Sequence, residues 1–423
     1  MSLKVKAPYG MTAHAASLAT VCADSSRCSR ASVSNCCVSS PTVTIVGLAS
    51  AACNGLRREG CEGLESELLV AQVPLRTSLV LEETRGGGRV RYAEMPSSGE
   101  PTTLASGHVA VPLETEDMKR IYRNFPTFTD GASRLYPGRW LLLTGFKDVA
   151  DRIYNFKIRE SDVVIATFPK SGTTWSQEVV WSMLHDPDLK DAPRSPLMDR
   201  PPYLEMEVDQ WPAEVKSFVP PLFHAMCPGG DASRGTVVQM LEVEKEPRVI
   251  KTHLPLSLLP PDTLDKAKVV YVARNPKDLV TSFYDYSRTQ KRLQFQGMRF
   301  CPYWEHLREA WQKRDHPNLH FIFFEDLKKD SVREYRKLDE FLGSRLSEEQ
   351  LARVMEHTSF SSMKARDEAL GKCDQIISEG SFFRSGQAGS WKQKLSPDLE
   401  NKIDTWTKEN VADFGSDFKY FIS

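Results

Sequence analysis

The sequence contains no apolar run long enough to cross a membrane. Near its N-terminus the longest such stretch, 43–53, is interrupted by Thr, Gly and Ser, well short of the roughly 20 residues a helical span needs. A basic start followed by a compact apolar run and a cleavage site is also missing, which argues against secretion. Neither sign of charge is in excess, since 55 Lys and Arg face 56 Asp and Glu. That balance gives no whole-chain field to hold nucleic acid or an anionic membrane, so any anion must be bound locally. Of the 9 cysteines, Cys22, Cys28, Cys36, Cys37, Cys53 and Cys61 fall in the first 61 positions. They include no Cys-x-x-Cys pair and have no metal-spaced histidines nearby, so no metal is expected and the rest of the chain reads as reduced, cytoplasmic protein. Acidic residues are almost absent from the start, where Asp24 stands alone in the first 58 positions. Organelle transit peptides and plain disorder share that composition; disorder is preferred because no amphipathic basic helix stands out, and organelle targeting is the alternative.

Up to 107 the chain is rich in Ser, Ala and Gly, and its Gly86-Gly87-Gly88 run reads as linker because no strand precedes it and no helix follows. The expected organisation is therefore a disordered, low-complexity extension over 1–107 and one domain over 108–423. With 40% hydrophobic residues the chain has enough apolar surface for a large core enclosing a ligand cavity. Past about 109, short β-branched runs alternate with longer amphipathic ones. Strands are expected at 163–168, 248–251, 269–273 and 320–324, with a helix over 174–184 and another opened by Pro276. This predicts an α/β fold, a single domain whose central, mainly parallel sheet is flanked by helices around a P-loop-like nucleotide-binding core.

Between the first of those strands and its helix stands Pro169-Lys170-Ser171-Gly172-Thr173-Thr174-Trp175. Small residues there let backbone amides turn toward an anion at a helix N-terminus, Lys170 adds a mobile charge, and the hydroxyls donate hydrogen bonds. An ATP or GTP loop would place two glycines ahead of the lysine, whereas here Lys170 precedes Gly172. Such an enzyme also ends a neighbouring strand in a magnesium-binding Asp. The strand at 269–273 ends instead in Arg274-Asn275, which repels a metal and attracts a second phosphate.

Four motifs in order now identify a resemblance. Phe-Pro-Lys-Ser-Gly-Thr-Thr-Trp at 168–175 resembles the donor phosphosulfate loop of the cytosolic sulfotransferases, and Pro-Arg-Val-Ile-Lys-Thr-His-Leu-Pro at 247–255 their catalytic-histidine segment. Arg-Asn-Pro-Lys-Asp at 274–278 with Ser282 looks like their 3′-phosphate site, and Phe383-Arg384-Ser385-Gly386 with Gly389 and Trp391 like their closing phosphate loop. The resemblance runs from about 109 to the C-terminus. It implies a soluble enzyme that moves a sulfonate from 3′-phosphoadenosine 5′-phosphosulfate (PAPS), its co-substrate, to a hydroxyl or amine of a small molecule. It assigns Lys170, Ser171, Gly172, Thr173 and Thr174 to the phosphosulfate, and Arg274, Ser282, Arg384, Ser385 and Gly386 to the 3′-phosphate. Trp175, Thr358, Phe360 and Met363 would contact adenine, for which aromatic and thioether groups are suited. His253 would be the general base, with Lys170 and Lys251 stabilising charge on leaving and transferring oxygens.

Several departures accompany the match. Phe324 and Ser385 stand where the family commonly has Tyr and Lys, and Ser390 where it has Asp. The segment 227–246, containing Pro228-Gly229-Gly230, is longer than usual and is either an acceptor-site lid or a surface insertion. Arg-Pro-Pro-Tyr-Leu-Glu at 200–205 resembles the loop bordering the acceptor pocket without choosing among phenol, steroid, amine and alcohol. Ser396-Pro397 interrupts the family's dimer motif, so a monomer or weak homodimer is expected. No nucleic acid or membrane partner is expected.

Overall fold

The computed structural model describes residues 5–6, 12–13, 99–124, 131–194, 200, 204–205, 219–289, 300–370, 383 and 386–420. Two units divide the chain. In the first, Met1–Glu62, Val5–Lys6 pairs antiparallel with Thr12–Ala13. The second, Gly63–Ser423, holds everything that follows.

A four-stranded antiparallel meander comes first, made of β1 (Thr102–Thr103), β2 (Val109–Pro112), β3 (Ala132–Tyr136) and β4 (Trp140–Leu143). It was not expected from the sequence. Its strands are too short to show alternation, and β4 is buried at every position, leaving a continuous apolar run with no period. The meander also starts ahead of the expected boundary at 108, because Thr102–Thr103 pairs with Val109 and Ala110 and Leu104 packs into the core.

The parallel sheet has the order β8-β7-β5-β6, built from β5 (Val163–Thr167), β6 (Val249–Thr252), β7 (Lys268–Ala273) and β8 (Leu319–Phe323). These are the four expected strands, each within a residue of its predicted bounds. Phe324 opens the helix Phe324–Lys329 instead of ending β8, since Glu325 and Asp326 suit the positive end of a helix.

Side-chain alternation splits the core between the two faces of this sheet. Val164, Ala166, Ile250, Val269 and Tyr271 face one cluster, which also takes Leu135, Trp140 and Leu142 from the meander. Val163, Ile165, Val249, Val270 and Val272 face the other, under the helix Thr173–His185. At the N-terminal edge Asp162 and Arg248, both about 1% exposed, join in a buried ion pair with Arg248 Nε 2.7 Å from Asp162 Oδ1. Arg248 also donates to the carbonyls of Leu241 and Lys157, so three separate segments are tied where β5 and β6 begin.

The segment 227–246 is not wholly a surface insertion. It carries the helix Thr236–Val243, whose Val237, Met240 and Leu241 are buried in the main core. Apolar spacing compatible with a helix was present there, masked by the glycines and proline ahead of it. Among the described residues no helix is long and apolar enough to cross a membrane.

Candidate active site

All the described candidate residues gather at the C-terminal edge of the parallel sheet, where ligands collect in open α/β folds. The loop after β5 turns through Lys170 (φ 66°) and Gly172 (φ 108°) into the helix Thr173–His185. Gly172 caps that helix with no side-chain hydrogen bond, so its first amides are left for an anion. A Cβ at Gly172 would come 3.0 Å from the Phe324 ring, so the loop needs glycine for space as well as for φ. The Ser171 hydroxyl is buried without a hydrogen-bond partner, and so is Arg274 Nε. Buried orphan donors beside uncapped amides fit an anionic ligand.

Thr167, the last residue of β5, organises two neighbours. Its hydroxyl lies 2.6 Å from that of Thr173, and its carbonyl accepts from His253 Nδ1 at 2.9 Å. Bonding to a carbonyl fixes the proton of a neutral imidazole on Nδ1 and leaves the lone pair on Nε2. Two further groups hold the histidine's backbone. Glu205 accepts from the His253 amide at 2.6 Å and from the Thr252 hydroxyl at 2.8 Å, bolting itself to the end of β6. His306 Nε2 donates to the His253 carbonyl at 2.9 Å, while the Tyr271 hydroxyl sits 2.7 Å from His306 Nδ1. Burial lowers the His306 pKa to about 4, so this ring is neutral at physiological pH. Lys251, two residues ahead on β6, reaches Gln177 Oε1 on the Thr173–His185 helix at 3.1 Å.

Arg274, at the end of β7, donates to the Lys170 carbonyl at 2.8 Å, and its own carbonyl accepts from Tyr303. Burial pulls its pKa down, opposed by Asp278 and Glu325. Ser282 is buried on the helix Pro276–Thr289, four residues after Asp278 and so on the same face. Asp278 accepts from the amides of Gly389 and Trp391 and the hydroxyl of Ser390, pinning the closing loop beside Ser282. Gly386, in that loop, has φ 59° and leaves no room for a Cβ against the Phe360 ring. Arg384 and Ser385 lie outside the described residues.

The adenine candidates also meet. Trp175 Nε1 donates to the Thr358 carbonyl at 2.9 Å, and Trp175 packs with Phe360, Met363 and Phe383. Beneath them, Glu178 receives Arg200 and Arg366 and sits 3.0 Å from His357 Nε2. Burial alone would raise its pKa, but those partners hold it at about 2.

Sequence reasoning passed over Glu205, His306, Tyr271 and Asp278 as positioning groups. Asp278 stood within the quoted 274–278 motif, one helical turn ahead of Ser282. Glu205 ended the quoted 200–205 segment, whereas His306 and Tyr271 lie 53 and 18 residues from His253 and nothing local marks them.

A sulfotransferase domain model matches residues 160–415, which spans every motif named above. The chain belongs to the sulfotransferase family. This sulfotransferase is 33% identical over 291 residues to luciferin sulfotransferase of Photinus pyralis, covering 63% of this chain and 76% of that one. It is 32% identical over 300 residues to sulfotransferase 1A1 of Rattus norvegicus, covering 66% and 94%. A crystal structure of retinol dehydratase in complex with androsterone and the inactive cofactor PAP superposes with a TM-score of 0.62 at 30% identity, covering 74% of this chain and 98% of that one. The same protein in complex with retinol and PAP gives 0.64 at 29% identity, with the same coverage. The sulfotransferase is thus an enzyme with PAPS as its co-substrate.

Proposed function

We propose that this sulfotransferase passes the sulfonate to a hydroxyl or amine of an apolar small molecule, with His253 as general base. The observation that carries the reading is the bond from His253 Nδ1 to the Thr167 carbonyl, which presents Nε2 as proton acceptor at the edge where the phosphate loop also opens. PAPS supplies the sulfonate and a phosphate leaving group. His253 Nε2 takes the acceptor's proton as the new bond to sulfur forms and the bond from sulfur to phosphate breaks. Lys170, Ser171, Gly172, Thr173 and Thr174 hold the phosphosulfate, and Lys170 and Lys251 offset charge on the departing and transferring oxygens. Arg274, Ser282 and Gly386, with Arg384 and Ser385, hold the 3′-phosphate, while Trp175, Thr358, Phe360 and Met363 sandwich the base.

Two things support an apolar acceptor with a hydroxyl. The Phe300 ring centroid lies 5.7 Å from that of His253, an aromatic wall beside the base. Androsterone and retinol are the ligands named for the similar retinol dehydratase. Cytoplasmic location and a monomer or weak homodimer fit the same reading.

Labelled PAPS offered with a panel of phenols, steroids, amines and alcohols tests it. Label should reach at least one hydroxylated acceptor, and His253→Ala should slow transfer by about a hundred- to ten-thousandfold while still binding PAP. Transfer that survives in His253→Ala would remove the histidine from the mechanism.

A further inference from the structure

Lys328 lies one helical turn after Phe324, and the two therefore share a face of the helix Phe324–Lys329. Its Nζ stands 4.8 Å from the centroid of the Trp175 ring and 5.6 Å from that of Phe324. The Phe324 ring also carries the Arg274 guanidinium, 4.8 Å from its centroid. Two cations are therefore gathered on one aromatic ring, next to the uncapped phosphate loop that touches the same ring through Gly172.

The carboxylates beside Lys328 are engaged elsewhere. Glu325 accepts from the Asn275 amide and the Tyr420 hydroxyl, and Asp326 pairs with Lys419. Lys328 itself has no ion pair or hydrogen bond among the described residues. Partial burial lowers its pKa, and the charge of Arg274 lowers it further. Like charges held together are costly in a protein, and an anion beside them relieves the repulsion. Phe324 has no hydroxyl to offer such an anion, but it gives both cations a platform.

We infer that Lys328 is a donor-selecting residue, joining Arg274 in binding the 3′-phosphate of the nucleotide. The inference rests on the donor-site reading above. Its chemistry is a charge-assisted contact to a terminal phosphate that is gripped and never cleaved, as suits a flexible ammonium. It predicts discrimination between nucleotides that differ only in that phosphate.

The test compares binding of adenosine 3′,5′-bisphosphate (PAP) and of adenosine 5′-monophosphate, which differs from it only in lacking the 3′-phosphate, by calorimetric competition with wild type, Lys328→Met and Lys328→Arg. Methionine keeps the apolar stem against Trp175 and Phe324 and removes the charge. Lys328→Met should weaken PAP about five- to tenfold and leave adenosine 5′-monophosphate within about twofold. Lys328→Arg should restore PAP affinity, and added salt should shrink the difference because the side chain remains solvent-accessible. Equal weakening of both nucleotides would mean that Lys328 only supports the rings, and no change in either would mean that it faces solvent; each result overturns the inference while leaving the donor site standing. Wild type that fails to bind PAP would overturn the donor-site reading and this inference with it.

Discussion

The two sheets of this sulfotransferase are of similar size and share one core, yet they relate to chemistry in opposite ways. The parallel sheet delivers the phosphate loop, Lys251, His253 and Arg274 from the ends of three strands, β5, β6 and β7. The meander delivers no candidate residue. Its contribution is through backbone: Leu141 donates to the Cys301 carbonyl at 2.8 Å and accepts from the Phe300 amide at 2.9 Å, which sets the Phe300 ring beside His253. One sheet carries the candidate reacting groups, and the other packs beside them.

The largest expected effect comes from the base of the parallel sheet. Arg248→Ala strands Asp162 in the interior and releases the carbonyls of Leu241 and Lys157, and should cost about 3 to 5 kcal/mol in a denaturant melt. Nucleotide binding should be lost along with the fold. Breaking the meander should separate the two functions of the core. Leu142→Ala removes a buried side chain that packs toward the parallel sheet, at a cost of about 2 to 4 kcal/mol, with PAP affinity unchanged in the fraction that stays folded. A fall in PAP affinity beyond that explained by unfolding would mean that the meander also shapes the donor site.

A smaller effect sharpens the contrast through pH. His306 is buried neutral, with its pKa lowered from 6.5 to about 4. Its stabilising contribution is full above pH 6.5 and is lost as pH falls toward 4, because the unfolded chain takes up a proton that the native state refuses. Between pH 7 and 5.5 the wild type should therefore lose about 1 kcal/mol more stability than His306→Gln, which no longer titrates there. Parallel pH profiles for the two proteins would remove His306 from the linkage.

How legible each sheet was follows from the same contrast. β5, β7 and β8 are β-branched or aromatic runs of five or six residues, bounded by turn residues, and a helix follows each within a few positions. Such strands declare themselves by composition. The meander's strands are two to five residues long, and Pro112 within β2 argues locally against a strand at all. They exist because β2, β3 and β4 complete one another's hydrogen bonds and bury Trp140 and Leu142 in the core, which is information spread over 35 residues, 109–143. The same holds within the site. Lys170, His253 and Arg274 stood in recognisable motifs, whereas Tyr271 and His306 matter only through where the chain brings them. The helix at 236–243 was overlooked for a local reason, since the Pro and Gly before it dominate the reading of the whole segment.

Thr167 gives the design an unexpected economy of motion. One peptide carbonyl grips the imidazole, and one hydroxyl on the same residue meets Thr173 in the phosphate cradle. The nucleotide's holder and the proposed proton acceptor are thus referenced to a single point on a fully buried strand rather than to each other through a loop. Thermal displacement of that strand carries both along together, so the spacing between donor and base is kept even when the scaffold breathes.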